Sequence, residues 1–278
     1  MKVGIVKKLV AIAAASAIAI GMVGCGNSTK GNKENTSSNA SALQAIKSKG
    51  KLVIGTSADF PPYEFHSTAS GKDEIVGVDI DIAKQVAQDL GVELEVKDMD
   101  FDGLLVALQS DKVDMVFAGM TPTAERKENV DFSDMYYTVK QTFIVRSGEE
   151  AAIKSTDDLK TKKIGVQKGS VQENMAKDLF SADKLKSLTK VTDLVLDLKN
   201  DKVDAILLEA PVAEFNAKKN EGIALTSVTL EDPDGGYAIA MKKGQSELQQ
   251  KVNETINKLK DGNKIADFAV KASELMDK

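Results

Sequence analysis

The stretch Asp111-Lys-Val-Asp-Met-Val-Phe-Ala-Gly-Met-Thr-Pro-Thr-Ala-Glu-Arg126 decides how this chain is read. Val113 to Ala118 is an apolar run of strand length that stops at Gly119. A loop and a Thr-Pro pair follow, which predict a short helix with Arg126 in about its first turn. In an open α/β sheet, ligands bind beyond the carboxyl ends of strands, so Gly119 to Arg126 is a natural place for binding groups.

The first half of the stretch recurs. Leu104-Leu-Val-Ala-Leu-Gln-Ser-Asp-Lys-Val-Asp-Met-Val-Phe117 lies over Leu194-Val-Leu-Asp-Leu-Lys-Asn-Asp-Lys-Val-Asp-Ala-Ile-Leu207. Each copy reads as a Leu-rich helix, a polar turn, Asp-Lys-Val-Asp and a hydrophobic strand. Val53-Ile-Gly-Thr56 has a weaker counterpart in Lys163-Ile-Gly-Val166. A tetrapeptide can match by chance, but the same order of elements around it predicts two lobes of similar α/β architecture. Two copies are too few for a solenoid.

Working outward, Ser41 to Lys49 reads as an amphipathic helix leading into strand Leu52 to Thr56. Ser57-Ala-Asp-Phe-Pro-Pro-Tyr-Glu-Phe65 is a loop stiffened by two prolines. Asp79 and Asp81 flank the entry to a helix whose Ile82, Val86 and Leu90 share a face, with Gly91 as its stop. Strand Val92 to Val96 and helix Phe101 to Gln109 complete a βαβαβ unit. An extended stretch, Gln141 to Arg146, opens the second unit, with strands at Ile164 to Val166, at Val191 and at Val203 to Leu208. Ser170 and Glu173 have capping-box spacing at another helix start. Glu231 to Gly236 reads as a turn, Tyr237 to Met241 as a strand, and Glu247 to Lys260 and Gly262 to Met276 as helices.

The segment after Glu231 has no partner in the second unit, so it is expected to return to the first. That gives a first lobe of residues 42–140 plus 231–278 and a second of residues 141–230. Two crossings, near Tyr137 to Thr142 and Leu225 to Leu230, would form a hinge around a closable cleft.

Composition narrows the function. Aromatic residues make up 5% with no Trp, which argues against a stacking platform for sugars or bases. The sole histidine, His66, reads as a solvated residue of a polar loop, which argues against a His-based triad, and one histidine cannot make a His-rich metal site. No G-x-x-x-x-G-K-[ST] loop is present. No cofactor is implied.

Lys2, Lys7 and Lys8 precede the apolar run Leu9 to Met22, which has signal-peptide dimensions. Taking those three lysines from 37 basic residues leaves 34 against 42 acidic ones, a net charge of −8 that opposes nucleic-acid binding. Met22-Val-Gly-Cys25 resembles the lipobox of bacterial lipoproteins, which implies cleavage after residue 24 and lipid on Cys25. The bland alternative is an incidental buried cysteine in an uncleaved helix. Residues 25–41, rich in Gly, Asn, Ser, Thr and Lys, read as a flexible tether.

Several ordered motifs together resemble the polar amino-acid-binding proteins of ABC importers, bacterial solute-binding family 3. They are Pro61-Pro-Tyr-Glu-Phe65, Gly77-Val-Asp-Ile-Asp-Ile-Ala83, Gly119 to Arg126, Phe132-Ser-Asp134 and Gly169-Ser-Val-Gln172. The resemblance implies a two-lobed periplasmic-binding-protein-like fold of type II. It also implies an extracytoplasmic, lipid-anchored, monomeric receptor that closes on a free amino acid and docks on a membrane permease.

A free amino acid presents a carboxylate, an ammonium and a side chain. By resemblance Arg126 is the carboxylate clamp, a role suited to its planar fork. Thr121 and the backbone near Gly119 would assist, with Ser170 and Gln172 in the second lobe. Glu209 would take the ammonium. Phe60 and Phe101 look like the aromatics that sandwich the ligand. Ser57 replaces an Asp that many cationic and amide binders carry, so Asp59 or Glu64 could supply a negative end. Arg or Lys is the expected ligand, with Gln, His and cystine open.

Each residue also has a bland reading: Arg126 as a surface ion pair with Glu125 or Glu128, Glu209 as a helix-start acid before Pro211, Ser170 as a plain N-cap, and both phenylalanines as core. Two rival functions stand beside import. One is an exported dehydratase on the same fold, using Glu209 or Asp59 as general acid. The other is an amino-acid sensor.

Overall fold

The computed structural model describes residues 41–232 and 235–276. The expected signal peptide, Cys25 and all but the last residue of the tether lie outside the described residues.

Strand β1 (Lys51–Thr56) runs parallel to β5 (Glu93–Asp98) and β6 (Met115–Val116), and β13 (Ala240–Lys242) joins antiparallel between β6 and β7 (Val130–Phe132). The second five-stranded sheet repeats this plan. Strand β9 (Ile164–Gln167) runs parallel to β10 (Leu185–Leu188) and β11 (Ala205–Glu209), with β8 (Gln141–Arg146) antiparallel between β11 and β12 (Ile223–Leu230). A small antiparallel sheet of β2 (Asp59–Phe60), β3 (Glu64–Ser67) and β4 (Glu74–Val76) sits on the first lobe. The fold is thus mixed α/β with two lobes.

Helices α1 (Ala42–Lys49), α2 (Val78–Leu90), α8 (Ser246–Asp261) and α9 (Lys264–Met276) pack together on the first lobe. There Ile82, Val86, Val252 and Ile256 bury their apolar faces. Helix α3 (Leu104–Gln109) lies over β1, β6 and β13, and α4 (Ala124–Asn129) follows the Thr-Pro loop. The second lobe carries α5 (Val171–Leu179), α6 (Val191–Lys199) and α7 (Ala210–Lys219).

The repeated tetrapeptide has a physical basis. Asp111 and Asp201 both hold the left-handed region, at φ 60° and 58°, where a short polar side chain is tolerated. Asp114 accepts from Val53 N–H at 2.7 Å, and Asp204 from Lys163 N–H at 2.8 Å. Each carboxylate thereby ties the turn to the neighbouring strand. A Cβ at Gly55 would stand 3.1 Å from Leu104 Cδ2, and one at Gly165 would stand 2.9 Å from Leu194 Cδ2. In both lobes a side chain at this glycine would press on the leucine helix that crosses the strand.

Three expectations are corrected. Val191 starts α6 rather than a strand; its N–H is taken by the carboxylate of Asp59. Leu225 to Leu230 is not a crossing, because Leu225, Thr229 and Leu230 pair with Ile144, Thr142 and Gln141 inside the second sheet. The chain crosses after Leu230, where Tyr237 forms an isolated bridge with Tyr137 of the other crossing. Regular pairing is also shorter than expected, at Met115–Val116 and Ala240–Lys242. In the expected turn Gly235 N–H reaches Asp232 O at 2.8 Å; residues 233 and 234 lie outside the described residues.

Candidate ligand-binding site

A cavity lies where the strand ends of the two lobes meet. The first lobe lines it with Ser57, Phe60, Glu64, Phe101, Ala118, Gly119, Thr121 and Arg126. The second contributes Gln167, Ser170, Val171, Gln172 and Glu209. Nine of the ten expected ligand residues thus surround one space, and Asp59 is the exception.

Arg126 is placed by a cap. Thr123 Oγ1 accepts from Arg126 N–H at 3.2 Å, which starts α4 and aims the side chain back along the cleft. Its guanidinium donates to Thr121 O at 2.8 Å and, across the cleft, to Gly169 O at 3.0 Å. The Phe101 ring lies 5.4 Å from the guanidinium carbon, a distance that suits a cation over an aromatic face. Phe101 is only half-buried, so it is part of the wall rather than the core. Burial lowers the guanidinium to about 10, against opposing pulls from Glu209, Glu125 and Asp232. It remains charged at neutral pH.

Asp79, read from sequence as a helix-entry acid, is fully buried beneath the loop. It accepts from Gly119 N–H at 2.8 Å and from Tyr136 OH, and burial raises its carboxyl to about 6. The Gly119 N–H is therefore structural, leaving its carbonyl for other partners.

In the second lobe Ser170 Oγ accepts from Glu173 N–H at 3.1 Å and donates to Gln167 O at 2.7 Å, so its hydroxyl is committed to the N-cap. Glu173 reaches Gly169 N–H rather than Ser170, one residue off a true capping box. The following N–H groups, of Val171 and Gln172, stand at a helix start that makes no intrahelical use of them. Gln172 donates to Gln141 Oε1 at 2.9 Å and hydrogen-bonds Glu209.

Glu209 ends β11 and is buried, with Oε2 lacking any partner. Burial raises its carboxyl to about 7, partly offset by hydrogen bonds from its own backbone and Gln172 and by Arg126. Ser57 donates to Asp59 Oδ1 at 3.0 Å, and Phe60 is buried against the cavity.

Glu64 was one of two candidate acids, and of the two it is the one that reaches the cavity. It is 0% exposed, and neither carboxylate oxygen has a partner. Burial, reinforced by Asp79, Asp59 and Glu209, pushes its carboxyl well above the usual range. The sequence did hold a signal: Glu64 is the one charged residue in the buried run Phe60 to Phe65. An acid there needs a cation, or it pays a desolvation cost for nothing.

The lobes are closed on each other. Gly169, at φ 75°, lies so near the other lobe that a Cβ would stand 3.0 Å from Asp102 Cβ. Lys168 Nζ pairs with Asp102 at 2.8 Å and Lys190 Nζ with Asp100 at 3.4 Å.

Residues 52–271 match the bacterial extracellular solute-binding proteins, family 3. The chain belongs to that family. This family 3 protein is 38% identical over 264 residues to the arginine-binding extracellular protein ArtP of Bacillus subtilis (strain 168), covering 93% of this chain and 95% of that one. It is 32% identical over 222 residues to the L-cystine-binding protein TcyJ of Escherichia coli (strain K12), covering 79% and 82%. Among solved structures, an amino acid ABC transporter substrate-binding protein from Streptococcus pneumoniae bound to L-arginine superimposes with TM-score 0.82. Identity there is 41%, over 84% of this chain and 98% of that one. A P235GK mutant of ArgBP from T. maritima gives TM-score 0.77 at 36% identity, over 84% and 99%.

Proposed function

We propose that this chain is an extracytoplasmic receptor that captures arginine and delivers it to an ABC importer. The observation that carries the reading is the charge arrangement in the cavity. Arg126 faces it with a cation, while Glu209 and Glu64 face it with buried carboxylates that lack partners at three oxygens. One cation and two anions complement a ligand with one carboxylate and two cations, a basic amino acid. Arg126 takes the carboxylate, helped by Thr121 and the N–H groups of Val171 and Gln172 at the start of α5. Glu209 takes the ammonium.

Glu64 faces the side-chain cation. Both of its oxygens await donors, which favours the two-pronged guanidinium of arginine over the point charge of lysine. Glutamine would leave the Glu64 charge unmatched, and cystine would bring a second carboxylate toward it. Phe60 and Phe101 flank the aliphatic stem. The arginine named for ArtP and for the Streptococcus pneumoniae structure supports the same substrate.

Binding, not turnover, is the function: a ligand ammonium beside Glu209 keeps it ionised, which opposes a general-acid role. Residues 42–140 with 231–278 close against residues 141–230 around the paired crossings at Tyr137 and Tyr237. The closed monomer docks on the permease, and lipid on Cys25 holds it at the outer face of the membrane. Titration calorimetry against arginine, lysine, glutamine, histidine and cystine tests the reading. Arginine is expected to bind tightest; tighter binding of glutamine or cystine overturns it, as does turnover of prephenate or arogenate.

A further inference from the structure

Asp59, the other candidate for the negative end of the pocket, faces the second lobe instead. It is buried at 8% exposure, in β2 beside the cavity wall. Oδ1 accepts from Ser57, and Oδ2 accepts from the backbone N–H of Val191, 132 positions away. Val191 is the first residue of α6, and the preceding Lys190 gives that helix no side-chain cap. The N-terminus of a second-lobe helix is therefore capped by a first-lobe carboxylate.

Other contacts cross the cleft: the Arg126 bond to Gly169 O, which belongs to the ligand site itself, and two ion pairs that differ in kind. The Lys168–Asp102 and Lys190–Asp100 pairs have side chains that are substantially in water. Exposed pairs of that sort are screened and contribute little. The Asp59 contact is buried, charge-assisted and aligned with the positive end of a nine-residue helix.

We propose that Asp59 sets ligand affinity without touching the ligand, by capping α6 only when the lobes are closed; this rests on the closing-receptor reading above. When the lobes part, the carboxylate and the Val191 N–H both return to water. The bond then counts only toward the closed state. Apparent affinity scales with the fraction of molecules able to close, so losing the cap weakens ligands of equal charge by one common factor. Selectivity stays with the cavity residues.

Asp59→Ala is expected to weaken arginine and lysine alike, on the order of tenfold from the usual value of a helix cap. Asp59→Asn keeps an acceptor oxygen and should recover much of that loss. Val191→Pro removes the donor at a position where helices accept proline. Combined with Asp59→Ala it should be no worse than the stronger single change, the non-additivity expected of one shared bond. Should that variant fail to fold, the two Asp59 substitutions still decide the matter. Small-angle X-ray scattering of the intact chain without ligand should show a larger radius for Asp59→Ala than for wild type.

A changed arginine-to-lysine ratio in Asp59→Ala would return Asp59 to the pocket and overturn the proposal. So would affinity equal to wild type. If wild type binds no amino acid, the receptor reading fails on its own. The ligand-free scattering comparison then decides the latch, and equal radii refute it.

Discussion

Replacing Glu64 by Gln is expected to move stability and affinity differently, because the same buried charge is a burden without ligand and an asset with it. Burial raises the Glu64 carboxyl well above its usual range, with Asp79, Asp59 and Glu209 adding to the effect. A carboxyl raised in the folded state contributes stability that is fully present below its unfolded pKa and is lost as pH rises through the folded value.

Glu209 behaves in the same way. Held at about 7 against 4.5, it removes about 3 kcal/mol from the unliganded fold by about pH 8. An amide at position 64 never ionises, but an unpartnered buried amide itself costs about 1–3 kcal/mol. At position 64 these two effects oppose each other, so the unliganded Tm should change less than ligand affinity does. The difference lies in slope: wild type should lose stability faster than Glu64→Gln as pH rises above the ordinary carboxylate range.

Arginine affinity should fall far more, since truncating one partner of a buried charge pair costs about 2–5 kcal/mol, roughly 30-fold to several thousand-fold. Glutamine should lose much less. Thermal unfolding across pH and calorimetry with both ligands measure these effects. Arginine affinity within about threefold of wild type would refute the assignment of Glu64, and so would an unchanged pH slope.

Three further outcomes are expected. Arg126→Ala should weaken arginine by at least about a hundredfold, yet leave agmatine, which lacks the carboxylate, nearly unaffected; equal losses for both would dismiss the clamp. Arginine binding should expel protons, because a bound cation favours the ionised forms of Glu209 and Glu64, both raised without it. Affinity should therefore rise with pH and level off for Glu209 above about 7, with calorimetry in buffers of different ionisation enthalpy detecting release. Asp111→Gly should be neutral or stabilising by under about 1 kcal/mol in denaturant unfolding, whereas Asp111→Val, β-branched at φ 60°, should cost about 1–3 kcal/mol.

Much of the fold was legible because its decisive signals are local. Each Asp-Lys-Val-Asp copy specifies a turn whose left-handed residue and strand-tying carboxylate lie three positions apart, so the repeat reports directly on two similar sheets. Arg126 could be placed for the same reason, since Gly119, Pro122 and Thr123 fix a strand end and a helix start within a few residues. Val191 was misread because its β-branched side chain suits a strand, while the group that makes it a helix start lies 132 residues away.

The sequence by itself determined the two α/β lobes, the strand ends that face the cleft, and the opposite charges of Arg126 and Glu209 placed there. Only the tertiary structure decided what the neighbouring acids do. Asp59 and Glu64 lie five residues apart, but the antiparallel turn between β2 and β3 sends one carboxylate to the other lobe and the other into the cavity. A carboxylate's role depends on whether its oxygens meet a donor or remain bare, and that is set by what long-range packing brings beside it.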